Sequence, residues 1–126
     1  MDITAAQSFA RAWLNAWNAH DVDELVNHFA EDAIFTSPVA AQLLPETGGV
    51  LVGREAIGEY WALGLHRIPD LHFELNDLYV GVDTVVINYR NHTGALVCEV
   101  LRLADGLVTR GDGTYLTTDA AGASGA

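Results

Sequence analysis

The chain contains no lysine. Its six basic residues are all arginines, set against 17 carboxylates, for a formal net charge of −11. Such a surface repels phosphate backbones and anionic lipid, which disfavours nucleic-acid and membrane-surface partners. Without a lysine amine, Schiff-base catalysis by a side chain is excluded. The single cysteine, Cys98, cannot form an internal disulfide, and its place between Val97 and Glu99 reads as a packed thiol rather than a nucleophile. No apolar run approaches the ~20 residues of a membrane helix. Met1-Asp2 lacks the basic stretch of a secretory signal, so a cytoplasmic protein is expected. No His-x₃-His or Cys-x₂-Cys spacing occurs; His66 and His72 flank Asp70 but read as surface residues beside Pro69. Gly48-Gly49 and Gly111-x-Gly113 lack the strand-to-helix context of a phosphate loop. No metal and no cofactor is expected.

What is present describes one folded domain. Half of the 126 residues are hydrophobic, enough for a core at this length. Thr4-Ala5-Ala6-Gln7 has the form of a capping box, and Ala6, Phe9, Ala10, Trp13 and Trp17 recur at helical spacing to about Ala19. Asp21 and Glu24 form a second capping pair before a short helix with Val22, Leu25, Val26 and Phe29 as its buried stripe. Ala33 to Thr36 reads as a strand ended by Ser37-Pro38. Residues 38–49 read as an apolar loop that either covers a pocket mouth or simply packs. Val50 to Val52 is a short strand, and a third helix runs from Gly53 to about His66. Four strands follow: Leu71 to Val80 with a phase slip that predicts a bulge near Asn76-Asp77, Thr84 to Asn91, Ala95 to Leu103, and Leu107 to Thr117. Three helices and an antiparallel meander make an α+β domain over residues 1–117, with residues 118–126 a disordered tail.

The run from His20 to Pro38, with Ala30-Glu31-Asp32-Ala33, and the Gly53-Arg54-Glu55-Ala56-Ile57 helix that follows resemble the nuclear transport factor 2-like superfamily. That superfamily includes ketosteroid isomerases and SnoaL-type polyketide cyclases. The resemblance spans about Ala6 to Tyr115 and implies helices packed into a curved, cone-shaped, mostly antiparallel sheet around one deep pocket. In ketosteroid isomerases an aspartate precedes the proline after the first strand and serves as general base; here that position is Ser37. The family's oxyanion-hole tyrosine falls on Trp13, and two supporting tyrosines fall on Phe29 and Trp61. These departures weigh against the family's steroid chemistry. One position matches: an Ile-Asp-Val-Met-Arg segment, whose acid stays protonated and donates to the oxyanion, aligns with Cys98-Glu99-Val100-Leu101-Arg102.

Independently of any family, Glu99 is the only acid in the apolar run Ala95 to Leu101. A carboxyl walled by Trp13, Phe29 and Trp61 would be desolvated and its pKa raised, fit for acid–base work near neutral pH. The alternative is a structural glutamate paired with Arg110 or Arg90. Arg110-Gly111-Asp112-Gly113-Thr114-Tyr115 is the second unusual element, because two glycines in one strand mark a bulge, a bend or a close approach. A two-residue Asp105-Gly106 hairpin would set Glu99 opposite Asp112 and bring Arg110, Asp112 and Thr114 into the pocket. That cluster would resemble the Asp-Arg-Asp arrangement of limonene epoxide hydrolases in the same superfamily. A three-residue loop slips the register by one and turns Gly111, Gly113 and Tyr115 inward. Asp-Gly is the strongest two-residue hairpin signal and favours the first.

The expected catalytic set is therefore Glu99, Asp112 and Arg110, and the expected ligand contacts are Trp13, Trp17, Phe29, Ser37, Tyr60, Trp61 and Tyr115. The expected function is a cofactor-independent isomerase, cyclase or hydrolase on a small hydrophobic substrate. The alternative is a non-catalytic module that binds an apolar metabolite. Leu96, Cys98 and Val100 lie on the strand face opposite Glu99, an apolar face that predicts a sheet-to-sheet homodimer.

Overall fold

The structure is a computed structural model and describes residues 1–118. The chain orders as α1 (Ile3–Asn18), α2 (Val22–Asn27), β1 (Phe29–Thr36), α3 (Pro38–Leu43), β2 (Val50–Val52), α4 (Arg54–Arg67), β3 (Glu74–Val80), β4 (Thr84–Arg90), β5 (Leu96–Ala104) and β6 (Leu107–Tyr115). The helix count among the described residues is thus four rather than three. The apolar segment after Ser37 is α3 followed by a 3₁₀ turn, Pro45–Thr47. Its signals are local: Ser37 accepts from the Val39 amide as N-cap, and Pro38 sits at the first helical position. The expected tail, apart from Thr118, lies outside the described residues.

The caps differ in part from expectation. Asp2, not Thr4, caps α1 by accepting from the Ala5 amide at 2.7 Å. Asp21 caps α2 as expected, accepting from the Glu24 amide. Phe29 belongs to β1 instead of the α2 stripe, because α2 stops at Asn27.

The six strands form one sheet in the order β2-β1-β6-β5-β4-β3. β1 and β6 are parallel and the remaining neighbours antiparallel. The sheet is curved and unclosed, and the helices pack into its concave side around Trp13, Trp17, Leu25, Phe29, Ile57 and Trp61, all buried. No helix among the described residues is long and apolar enough to cross a membrane.

Besides an irregularity between Phe29 and Ile34 in the β1–β6 pair, two bulges interrupt the antiparallel ladders among the described residues. One falls at Asn76, between the Leu75–Tyr89 and Asp77–Asn88 pairs, where the phase slip predicts it. The other was not foreseen. The Asp105-Gly106 turn is the two-residue hairpin, with φ of 51° and 80°, and Leu103 does pair with Val108. Thr109 then bulges, so Arg102 pairs with Arg110 and Glu99 with Gly113. The loop length follows the first alternative and the inward-facing residues follow the second.

Candidate functional site

β5 alternates, and its concave face carries Val97, Glu99, Leu101 and Leu103, all buried. Glu99 is thereby aimed into a cavity of about 40 Å³ lined by Trp17, Ser37, Tyr60, Trp61, Gly64, Leu71, Phe73, Tyr89 and Tyr115. Glu99 as a whole is 7% exposed. Tyr89 Oη donates to its Oε1 at 2.9 Å, and its Oε2 is buried without a partner. Neither arginine weighed as a structural partner reaches it. Arg90 donates to the Gly94 carbonyl, and Arg110 pairs with Asp112 at 3.2 Å.

Across the ladder from the acid stands a glycine. A Cβ at Gly113 would stand in ordinary contact with both carboxyl oxygens, at 3.6 and 3.7 Å, and with the Thr36 carbonyl at 3.6 Å, so the glycine lets Glu99 lie close against the β6 backbone. Gly111 has a different reason: a Cβ there would stand 2.9 Å from Leu101 and 3.0 Å from Phe35, which fill the space. The two glycines mark close approaches by the chain's own side chains.

Burial raises the Glu99 pKa to about 7; the Tyr89 hydrogen bond works against this and Asp112 adds a smaller upward push. Desolvation likewise pushes Tyr60 up to about 12 and raises Tyr89 and Tyr115, so all three phenols remain donors. Ser37 Oγ lies 3.3 Å from Tyr60 Oη. The cavity thus offers one carboxyl poised between acid and base, ringed by neutral hydroxyls and flat aromatic faces. It can hold, protonate or deprotonate an oxygen on a small unsaturated molecule.

Several expected site residues lie elsewhere. Trp13 and Phe29 pack behind the cavity, Trp13 stacked 6.1 Å from Phe73 and Phe29 edge-on to Trp61 at 5.0 Å. Arg110 and Asp112 lie on the convex face because the Thr109 bulge reverses them. There desolvation pushes the Asp112 pKa up, but hydrogen bonds from Thr36 and Arg110 outweigh it and hold the carboxyl below its usual range. Trp17, Ser37, Tyr60, Trp61, Tyr115 and Glu99 do converge on the cavity.

Tyr89, Phe73, Leu71 and Gly64 were missed. Tyr89 had a readable signal: β4 alternates Val85, Ile87, Tyr89, and pairing Ile87 with Glu99 sets Tyr89 diagonally beside the acid. A wider open groove of about 900 Å³ between α2 and α4 is rimmed by Asp23, Glu31, Glu55 and Glu59, but none of these is buried. Among the described residues no three His, Cys, Asp or Glu side chains gather closely enough to hold a metal ion.

Comparison with known proteins gives the same frame. No functionally curated protein matches the chain. A SnoaL-like protein of unknown function from Burkholderia thailandensis is 40% identical, with a TM-score of 0.87 over 91% of this chain and 97% of that one. TerC, crystallised with polyporic acid, superposes with a TM-score of 0.76 at 15% identity, over 97% of this chain and 99% of that one. A protein from Sinorhizobium meliloti proposed to be a polyketide cyclase superposes with a TM-score of 0.71 at 17% identity, over 85% and 94% of the two chains. At such identities these last two show the fold alone. The SnoaL-like domain model matches residues 10–111, and the chain belongs to the SnoaL-like family within the nuclear transport factor 2-like superfamily.

Proposed function

We propose that this chain is a cofactor-independent enzyme, an isomerase, cyclase or hydrolase, that uses Glu99 as acid and base on a small hydrophobic substrate. One observation carries the reading: a buried carboxyl without a cationic partner, with one oxygen held by Tyr89 and the other free toward the cavity. A glutamate kept for structure alone would have its charge paired or both oxygens bonded. In the proposed reaction Oε2 gives a proton to a substrate oxygen or takes one from it or from the adjacent carbon. Tyr89 holds Oε1 and fixes the plane of the carboxyl. Family neighbours proposed as a polyketide cyclase and as a ketosteroid isomerase fit this class of chemistry.

The small cavity favours a second reading, a binding module that closes on an apolar metabolite which Glu99 only orients. Leu96, Cys98 and Val100 are half-buried on the convex face, and we propose a homodimer through it.

Binding of a planar cyclic enone, measured from pH 5 to 9 on wild type and Glu99→Gln, tests the site. An enone accepts but cannot donate, so its affinity should fall as pH rises through about 7 while Glu99 ionises. In Glu99→Gln that dependence should vanish. Unchanged pH behaviour in the variant would remove Glu99 from the function. Turnover lost in Glu99→Gln with binding kept separates the enzyme from the binder.

A further inference from the structure

Two buried polar atoms without partners belong to residues that line this one cavity, Glu99 Oε2 and Trp17 Nε1. Buried donors and acceptors are normally satisfied, so an orphan pair around a single space indicates what fills it. The two differ in kind. Glu99, from the sheet, can give or accept a proton, whereas an indole N–H, here from the helical wall, can only donate. Aromatic rings of Trp61, Phe73 and Tyr89 also line the space, which suits a flat occupant.

α4 also leaves one wall of the cavity bare. Gly64 lines the cavity in the helix interior, where glycine is unfavourable, and nothing stands within 4 Å of where its Cβ would be. Gly58 on the same helix is accounted for by packing, since its Cβ would meet Val26 at 3.1 Å. The space at Gly64 has no such filling. The cavity as it stands has room for about three water molecules, so a ring ligand enters only as the lining side chains move apart.

We propose that Trp17 is the specificity-determining residue of this site: its indole N–H binds a second, acceptor oxygen on a flat unsaturated ligand whose first oxygen meets Glu99. The ligand class is thus a conjugated ring compound with two oxygens, one of them a carbonyl. This rests on the reading of Glu99 given above.

The test compares 4-hydroxyacetophenone with 4-ethylphenol, near-isosteres that differ in the carbonyl, by calorimetry at pH 6. Wild type should prefer the ketone, and Trp17→Phe should reduce that preference by roughly three- to tenfold. The double difference cancels the effect of the carbonyl on the phenol itself. Trp17 is buried, so an independent readout on wild type accompanies it: the Trp17 indole proton resonance should move downfield with the ketone and not with 4-ethylphenol. Equal affinities together with equal indole shifts would overturn the Trp17 assignment, its N–H then resting against the Trp61 ring 5.4 Å away. If both ligands still weaken in Glu99→Gln, the Glu99 reading survives that failure. If neither ligand binds wild type, both readings fall.

Discussion

Glu99 makes the stability of the protein pH-dependent in a direction opposite to that of ordinary paired carboxylates. Its folded pKa, about 7, lies above the ordinary glutamate value of 4.5 that holds in the unfolded chain. The contribution is therefore most favourable below about 4.5 and is lost as pH rises through about 7. The size is about 3 kcal/mol between those limits, from the energy equivalent of one pKa unit. Urea unfolding at pH 5 and pH 8 should show wild type losing stability over this range and Glu99→Gln losing markedly less. A variant with the wild-type slope would place the titration elsewhere. Tyr89 belongs to the same scale: it holds Oε1 and partly offsets the rise that burial imposes. Glu99 stood out in the sequence as a lone acid in an apolar run. Its hydrogen-bond partner was legible in part: the β4 alternation puts Tyr89 on the inner face, but the register that sets it beside Glu99 had first to be known.

At the scale of elements, α4 carries two glycines with opposite roles. Gly64→Ala adds a methyl group into open space and removes the helix penalty of glycine, so it should raise stability by about 1 kcal/mol. The same methyl group should weaken ligand binding, since Gly64 lines the cavity. Gly58→Ala must push Val26 aside and should be neutral or destabilising. Thermal unfolding of the two variants beside an affinity measurement checks both; a Gly64→Ala protein that binds as wild type would exclude ligand from that wall. The last hairpin shows how an element can mislead. Its Asp-Gly turn was legible and forms as expected, yet one extra residue at Thr109 exchanges the faces of all that follows. Arg110 and Asp112, which looked like partners for Glu99, lie on the far side of the sheet because of it. Nothing in Val108-Thr109-Arg110 announces a bulge, whereas the one at Asn76 was visible as a slip in a long apolar alternation.

For the whole molecule, the convex face is the surface through which the proposed homodimer would form. Leu96, Cys98 and Val100 are only half-buried in a single chain, with Val86 paired beside Val100. A dimer through this face would bury them together. Val100→Arg should then sediment as a folded monomer where wild type sediments as a dimer, with unchanged circular dichroism. A wild type that is itself monomeric in sedimentation velocity would end the proposal. Residue order alone was enough for the class of fold and for singling out Glu99 as a lone acid in an apolar run. Period, caps and turn residues are local, and a carboxyl among apolar residues is conspicuous wherever it lies. The surroundings of Glu99 came from the folded chain and not from local sequence. The Thr109 bulge, the diagonal approach of Tyr89, the close approach of Glu99 to Gly113 and the retreat of Trp13 and Phe29 into the core are all outcomes of strand register and helix packing. Each depends on contacts between residues far apart in the chain, and a shift of one residue in a strand exchanges the two faces of a sheet.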